Sequence, residues 1–374
     1  MTPGNGGERR VRNVGLLTLP FHANYGGIVQ GVALARFLEG EGYKVTLLER
    51  VRAATQLQIL GGAILQRLPG QNIQGLRGRW LRARPHHSFI NRYIPRRSGP
   101  LRDGAAMTQA VAKHDLDAVV VGSDQVWRAK FGAPGSFLNR FLDFVEPADV
   151  RRIAYAASFG DDTWIYPEQT ETVRGLLARF SAVSVREASG VAICAEVLGR
   201  PDAQLVLDPT LLIAPDFWTS VAGPVRPAGG RTLRTYLLDD SRATVQARDG
   251  ILASLGPDYT VQASGIAGSH AIHDLPTWLR FFRDADFVVT DSFHGTVFSI
   301  IFRKNFVSFV NKRLGADRFT TLLGMLGLSD RLVFPDEGQD GAQLAREPID
   351  YGPVMERLRG EREKSARFLR SALS

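Results

Sequence analysis

Asp291, Ser292 and His294 stand together in "TDSFHG", followed by Gly295, where one apolar run gives way to another. Upstream, "DADFVVT" has the β-branched character of a buried strand, and downstream "TVFSIIF" reads as a helix covered on both sides. A helix start commonly carries Asp or Ser as a cap. A cap accounts for one polar residue and leaves the histidine unexplained. Helix N-termini also hold anions through unpaired N–H groups and the dipole. A histidine there can donate to a phosphate or carboxylate, or move a proton near neutral pH. His294 is thus the first candidate for chemistry, with Asp291 as a neighbouring base.

Two further joints carry comparable residues. Arg186 in "SVRE" ends another apolar run, and a guanidinium is the natural fork for carboxylate or phosphate. A salt bridge to Glu187 or to a helix-end carboxylate would account for it equally well. "GSDQVW" sets Ser123, Asp124 and Gln125 before Trp127; amides and carboxylates beside an aromatic suit a polyhydroxylated ligand, and an Asx-type turn would look similar. Gly26-Gly27 after "HANY" permits close approach of backbone to a ligand, without forming a GxGxxG fingerprint. His22, His86, His87, His114, His270 and His273 are scattered. No HExxH, Cys/His zinc spacing, P-loop or serine elbow is present, so no metal is expected.

The elements that must position these residues alternate. "VRNVGLLTL", "KVTLLER", "DLDAVVV", "RRIAYAA" and "SAVSV" read as strands, and "IVQGVALARFLEGEG" and the run from about Glu187 as helices. "QLVLDPTLLIAP" reads as a strand leaving this first block. After the Pro/Gly-rich "AGPVRPAGGR" the alternation restarts with "RTLRTYLLD", "DYTVQAS", "DFVVT" and "KNFVSFV" as strands, helices lying between them. Two such blocks predict an α/β protein of two doubly wound, Rossmann-like lobes. The first lobe is expected over 1–222, with a basic insertion at about 51–104. The second is expected over 223–350, and a charged amphipathic helix over 351–374. Ligands of open sheets bind beyond the carboxyl ends of the strands, where "HANYGG", "GSDQVW", "AASFG", "SVRE" and "TDSFHG" all fall.

Bulk properties limit the classes. A chain of 374 residues with 44% hydrophobic and 22% charged residues is globular. No apolar run is long enough to cross a bilayer. The N-terminal stretch has no apolar signal core, which gives a cytoplasmic expectation. Cys194 is the only cysteine, which excludes an intrachain disulfide. The net charge of +8 is uneven: Arg50 to Arg102 holds eleven arginines and no acidic residue, so the remainder is acidic by three charges. Such a block fits an anionic membrane surface, an acidic substrate or a solvated face. "QLQILGGAILQRL" within it could make a short amphipathic contact. Nucleic acid is the weakest partner, because no nucleic-acid motif appears.

In order and number, "NYGGIVQGVALARFLEGEGYKV", "DAVVVGSDQVWR", "IAYAASFG", "SVREASG", "LVLDPTLL" and "ADFVVTDSFHGTVFSIIFRKNFV" resemble the polysaccharide pyruvyl transferase family, over roughly residues 13–332. The resemblance implies a fold similar to the glycosyltransferase B architecture, with the first lobe on the acceptor side and the second on the donor side, and phosphoenolpyruvate as donor substrate, with no cofactor. Its pyruvyl unit is moved onto two hydroxyls of a sugar, glycan or lipid-linked glycan, forming a cyclic ketal and releasing phosphate. A lipid-linked acceptor would place the protein peripherally at the inner face of the membrane. Donor-holding residues map onto Arg186 and His294, with Ser292 and Gly295 at the helix start. Several branches carry Arg-x-His where this chain has Ser292-Phe293-His294; Arg313 or Arg318 is the expected replacement cation. His294 is the expected general acid, with Asp124 or Asp291 as base, and Asn24, Tyr25, Gly26, Gln125 and Trp127 are assigned to the acceptor. Two other functions compete: a glycosyltransferase with a nucleotide-sugar donor, and a non-catalytic glycan- or anion-binding relative.

Overall fold

The computed structural model describes residues 11–21, 24–51, 86, 88–131, 135–146, 148–225, 229–265, 274–310 and 315–374. The first lobe is an all-parallel sheet of β1 (Asn13–Leu17), β2 (Lys44–Arg50), β3 (Arg97–Leu101), β4 (Ala118–Val121), β5 (Arg151–Ala157), β6 (Ala182–Val185) and β7 (Gln204–Leu205). Their order is β3-β2-β1-β4-β5-β6-β7. This is the doubly wound order in which the winding reverses between β1 and β4, opening a crevice at their carboxyl ends. Helices α1 (Tyr25–Gly40), α2 (Gly104–Lys113), α3 (Thr170–Leu177) and the short α4 (Ala188–Ala192) make connections between its strands. The central strands are buried on both faces, as the continuous run "AVVV" of β4 requires.

Two expectations for this lobe differ from the structure. The stretch expected as an insertion over 51–104 ends in β3, the edge strand beside β2; "RSGPL" lacks the apolar run of a central strand because only one edge of it is paired. Most of that stretch, including the amphipathic "QLQILGGAILQRL", lies outside the described residues. The run "QLVLDPTLLIAP" contributes only Gln204–Leu205 to the sheet. Asp208 then accepts from the backbone N–H of Thr210, with Pro209 in the first turn of α5 (Pro209–Leu212), followed by α6 (Pro215–Ala222). An Asp cap before Pro is a helix start, and it outweighs the apolar run.

The second sheet comprises β8 (Arg231–Leu237), β9 (Tyr259–Gly265), β10 (Phe287–Thr290), β11 (Asn305–Phe309) and β12 (Leu332–Val333), in the order β12-β11-β10-β8-β9. All pairs are parallel. Here the winding reverses between β8 and β10. Its helices are α7 (Arg242–Leu255), α8 (Leu275–Arg283), α9 (Phe293–Ile301) and α10 (Asp317–Leu326). Helix α9 is buried along its whole length, as its almost unbroken apolar sequence demands; each large side chain contributes about 1.5–3 kcal/mol.

One apolar core runs through both lobes, from Val14 and Ile28 to Phe298 and Leu369. Trp218 of α6 meets Phe298 of α9 edge-on at 5.1 Å. The C-terminal helix α11 (Tyr351–Leu373) leaves the second lobe and docks on the first. There Ser365 Oγ accepts from Leu207 N–H, Arg362 donates to the Leu211 carbonyl, and Arg370 pairs with Glu41 through two contacts of 2.9 Å. The carboxyl ends of the two sheets are therefore held face to face by packed core.

Candidate active site

The N-terminus of α1 is brought up to β4 by Gln30. Its amide donates to Thr18 Oγ1 and to the Gly27 carbonyl, and its Oε1 accepts from Ser123 N–H at 2.9 Å. The chain then turns sharply at Asp124, whose φ of 62° is left-handed, a conformation Asp tolerates better than most residues. This turn directs the Asp124 carboxylate toward the end of β6. Asn24, the residue before α1, does not cap its own helix; its amide approaches Asp124 Oδ2 at 3.5 Å.

Arg186 leaves β6 into this space and is 3% exposed. Its two terminal nitrogens donate to Asp208 Oδ2 at 2.7 Å and to Asp124 Oδ1 at 2.9 Å. Asp208 also accepts from both the N–H and the hydroxyl of Thr210. Burial would push the Asp208 carboxyl up, but His294, Arg186 and Thr210 overcome it and hold it well below the usual carboxylate range. Burial opposes ionisation of Asp124 too, and the charges of Arg186, His294 and Arg318 outweigh it. Two carboxylates and one guanidinium thus form a buried, mutually satisfied cluster.

His294 comes from the opposite lobe. Ser292 caps α9, accepting from Gly295 N–H at 3.3 Å, and this fixes the first turn so that the imidazole enters the interlobe space. It is 7% exposed, and its Nε2 stands 3.7 Å from Asp208 Oδ2, without a hydrogen-bond partner. A Cβ added at Gly26 would lie 2.1 Å from His294 Nδ1. Only glycine lets the first turn of α1 pass this close to the ring. Phe293 is flanked by guanidinium groups of both lobes, Arg186 at 4.8 Å and Arg318 at 5.6 Å from its centroid. Burial, and then the neighbouring Arg186 charge, pull the Arg318 guanidinium down to about 10.

The structure therefore brings together Asp124, Arg186, His294, Arg318, Asn24, Gly26, Ser292 and Gly295. Other candidates lie elsewhere. Asp291 spans the winding reversal of the second sheet, its oxygens accepting from the N–H groups of Leu238 and Asp239 at 2.7–2.9 Å. Burial pushes its carboxyl up to about 6 against those bonds. Trp127 is fully buried, stacked on Phe141 at 5.2 Å with its N–H on the Arg140 carbonyl, so its face belongs to the core of the first lobe. Gln125 accepts from Arg128. Tyr25 stacks on Trp278 of α8 at 5.5 Å, a second interlobe contact, and burial raises its hydroxyl to about 12. Arg313 lies outside the described residues. Among the described residues no group of His, Cys, Asp and Glu could hold a metal ion, and no helix is long and apolar enough to cross a membrane.

Two contributors escaped sequence reasoning. Asp208 was signalled only by its position before Pro209. Glu187 stands at the N-cap position of α4, yet its side chain makes no cap bond; Oε1 accepts instead from Phe159 N–H at 2.8 Å. The free N–H groups of α4 are met from the other lobe, Ala188 by Thr321 Oγ1 and Ser189 by Asp317 Oδ2.

Two doubly wound lobes facing each other at their winding reversals, with buried cations and a histidine between them, define a two-lobed α/β protein with a charged interlobe cluster. The chain belongs to the polysaccharide pyruvyl transferase family, whose model matches residues 24–313, well over half its length. No curated protein matches the sequence. Among solved structures it is similar to the UDP-GlcNAc 2-epimerase from Methanocaldococcus jannaschii, at 12% identity and a TM-score of 0.49, covering 90% of this chain and 92% of that one. It is also similar to the spinosyn rhamnosyltransferase SpnG, at 11% identity and a TM-score of 0.43, with 96% of each chain covered.

Proposed function

We propose that this protein transfers the pyruvyl unit of phosphoenolpyruvate onto two hydroxyls of one sugar, forming a cyclic ketal and releasing phosphate. The observation that carries the reading is the meeting of His294 with the Arg186–Asp208–Asp124 cluster across the lobes, in a chain of this family. The donor is a small molecule with several negative charges, and it needs fixed cations and dipoles. Arg318, the start of α9 at Ser292–Gly295, and the field of Arg186 supply them. Arg186 acts through that field, since Asp208 and Asp124 occupy its terminal nitrogens.

In this reading His294 gives its proton to the methylene carbon of the donor, and Asp208 stabilises the charged imidazole. The first hydroxyl oxygen bonds to C2, the second displaces phosphate, and the ketal closes. Asp124 and Asp291 are both engaged, by Arg186 and by backbone N–H groups. Asp124 gives only Oδ1 to Arg186, and its Oδ2, with the Asn24 amide at 3.5 Å, is the candidate to accept the hydroxyl proton.

Thermal stabilisation by phosphoenolpyruvate, with inorganic phosphate and a nucleotide sugar measured alongside, tests the donor. The expected result is a shift with phosphoenolpyruvate that is lost in Arg318→Gln. A shift with the nucleotide sugar alone would overturn the reading in favour of glycosyl transfer.

A further inference from the structure

The two oxygens of Asp208 have separate partners. Oδ1 accepts from the N–H of Thr210 at 3.1 Å and from its hydroxyl at 2.7 Å. Oδ2 accepts from Arg186 at 2.7 Å and faces His294 Nε2 at 3.7 Å, with Ser123 Oγ 3.4 Å away. Capping the start of α5 needs only the Thr210 N–H. The hydroxyl bond is additional to the cap, and it falls on the oxygen turned away from the histidine. A carboxylate swings easily about its Cβ–Cγ bond, and anchors on both oxygens fix its plane. Thr210 is in turn tied to the helix that carries His294. It is fully buried, its carbonyl accepts from Trp218 Nε1 at 3.1 Å, and the Trp218 ring meets Phe298 edge-on. Phe298 lies one turn beyond His294 on α9. The circuit therefore closes: along α9 from His294 to Phe298, across to Trp218, through Thr210 to Asp208, and back to His294. Nε2, buried and turned to Asp208, is shut away from any substrate. The other ring nitrogen, Nδ1, lies over Gly26, where no side chain covers it.

We propose that Thr210 is a positioning residue for the proton transfer: it holds Asp208 so that Oδ2 receives the Nε2–H of His294, leaving Nδ1 to deliver the proton to the donor. The proposal rests on the pyruvyl-transfer reading and adds to it the atom that gives the proton and the group that orients its partner. The gap between Nε2 and Oδ2 is about 0.5–1 Å longer than a hydrogen bond, and attraction between imidazolium and carboxylate closes it. As the first hydroxyl oxygen bonds to C2, the C2–C3 π pair takes the Nδ1 proton and Asp124 takes the hydroxyl's. The imidazole is then neutral, with its remaining proton on Nε2 against Asp208. As the second hydroxyl oxygen bonds to C2, the C2–O bond to phosphate breaks. The second hydroxyl's proton restores Nδ1, and the proton on Asp124 leaves with phosphate. Two protons leave the acceptor; one ends on the methyl group and one on phosphate. Thr210 makes and breaks no bond in either step.

Thr210→Val tests this, because it keeps the N–H, the cap and the shape and removes only the hydroxyl. Three measurements are made on it: calorimetric binding of phosphoenolpyruvate, phosphate release with methyl glucoside, galactoside and mannoside, and NMR of protein carrying nitrogen-15 histidine with phosphoenolpyruvate bound. In the wild type the Nε2–H of His294, assigned by its absence from His294→Gln, is expected as a signal protected from exchange with water. Thr210→Val is expected to bind phosphoenolpyruvate as the wild type does, to lose that protection, and to lose about tenfold in kcat with KM for phosphoenolpyruvate unchanged, the worth of one hydrogen bond. Thr210→Ser is expected to restore both the signal and most of the rate. A wild type with donor bound and no protected Nε2–H would overturn the proposal without reference to any variant. So would wild-type signal and kcat in Thr210→Val, or a serine variant as impaired as the valine one, which would make shape rather than the hydroxyl responsible. Where none of the glycosides reacts, the Nε2–H signal decides. A wild type that binds no phosphoenolpyruvate would instead overturn the pyruvyl-transfer reading itself.

Discussion

The two strand ends that meet in the cleft are stabilised in opposite ways. In the first lobe the joint consists of side chains holding side chains: Arg186 between Asp208 and Asp124, all buried. In the second lobe, side chains hold backbone: Asp291 on the N–H groups of Leu238 and Asp239, and Ser292 on that of Gly295. The first arrangement fixes charges that cannot move without large cost. The second fixes chain direction and leaves His294 without a hydrogen-bond partner on Nε2. One lobe supplies a permanent field, and the other a group able to exchange a proton.

Removing the central cation should break this comparison most severely. Arg186→Met leaves two buried carboxylates without the cation between them and is expected to cost about 3–5 kcal/mol in chemical denaturation at pH 7. In the wild type both carboxyls are depressed in the folded state, so their stabilisation is present above their unfolded values and lost on acidification through the folded ones. Without Arg186 their folded values rise, and acidification from pH 7 toward pH 5 should recover stability. A variant that loses stability uniformly with pH would show that the cluster is not electrostatically coupled as described.

His294→Gln should do the reverse, sparing the fold and removing the chemistry. Stability is expected to fall only by the help His294 gives in holding Asp208 ionised, while turnover falls about 10²–10⁴-fold. Gly26→Ala gives an independent approach to the same group, since its methyl must displace the ring or the helix. It is expected to lose turnover while both lobes stay folded by circular dichroism. Normal turnover in Gly26→Ala would mean that the close packing of α1 on His294 is not needed for catalysis.

The carboxylates of the two joints should also titrate oppositely. Asp208 is depressed, so the stability difference between wild type and Asp208→Asn grows as pH rises through the acid range and is flat above about pH 5. Asp291 is raised to about 6, so ionising it disfavours the folded state. The advantage of wild type over Asp291→Asn should therefore shrink by about 2 kcal/mol between pH 4 and pH 7. Parallel profiles for the two variants would remove the contrast between the joints.

How much of this could be read in advance follows from the range of the interactions. The strand-to-loop joints were legible because apolar runs ending in polar clusters are local patterns, and both sheets place "GSDQVW", "SVRE" and "TDSFHG" at carboxyl ends. The pairing within the site was not. Arg186 reaches 62 residues back to Asp124 and 22 forward to Asp208, and no spacing rule announces contacts that only the folded sheet creates. Trp127 illustrates the converse: beside polar residues in sequence, it turns into the core because Phe141 and Phe159 wait there. Glu187 was legible only as the start of a helix beside Arg186, and its bond from Phe159 N–H, 28 residues away, is made by the folded sheet alone.

The smallest expected effect separates the structural from the functional part of the second joint. Ser292→Ala removes the cap on Gly295 N–H and should cost about 1 kcal/mol, with donor affinity scarcely altered, because a neutral hydroxyl already bonded to its own helix has little to offer an anion. Ser292→Arg loses the same cap and restores the Arg-x-His pattern of other branches. It is expected to be about as destabilised as Ser292→Ala, yet to bind phosphoenolpyruvate about tenfold more tightly, the worth of one added charged hydrogen bond. If the arginine variant instead gains nothing, the cation missing from this position is already supplied elsewhere. Arg318, stacked on Phe293 one residue away from the substitution, is then the side chain to remove next.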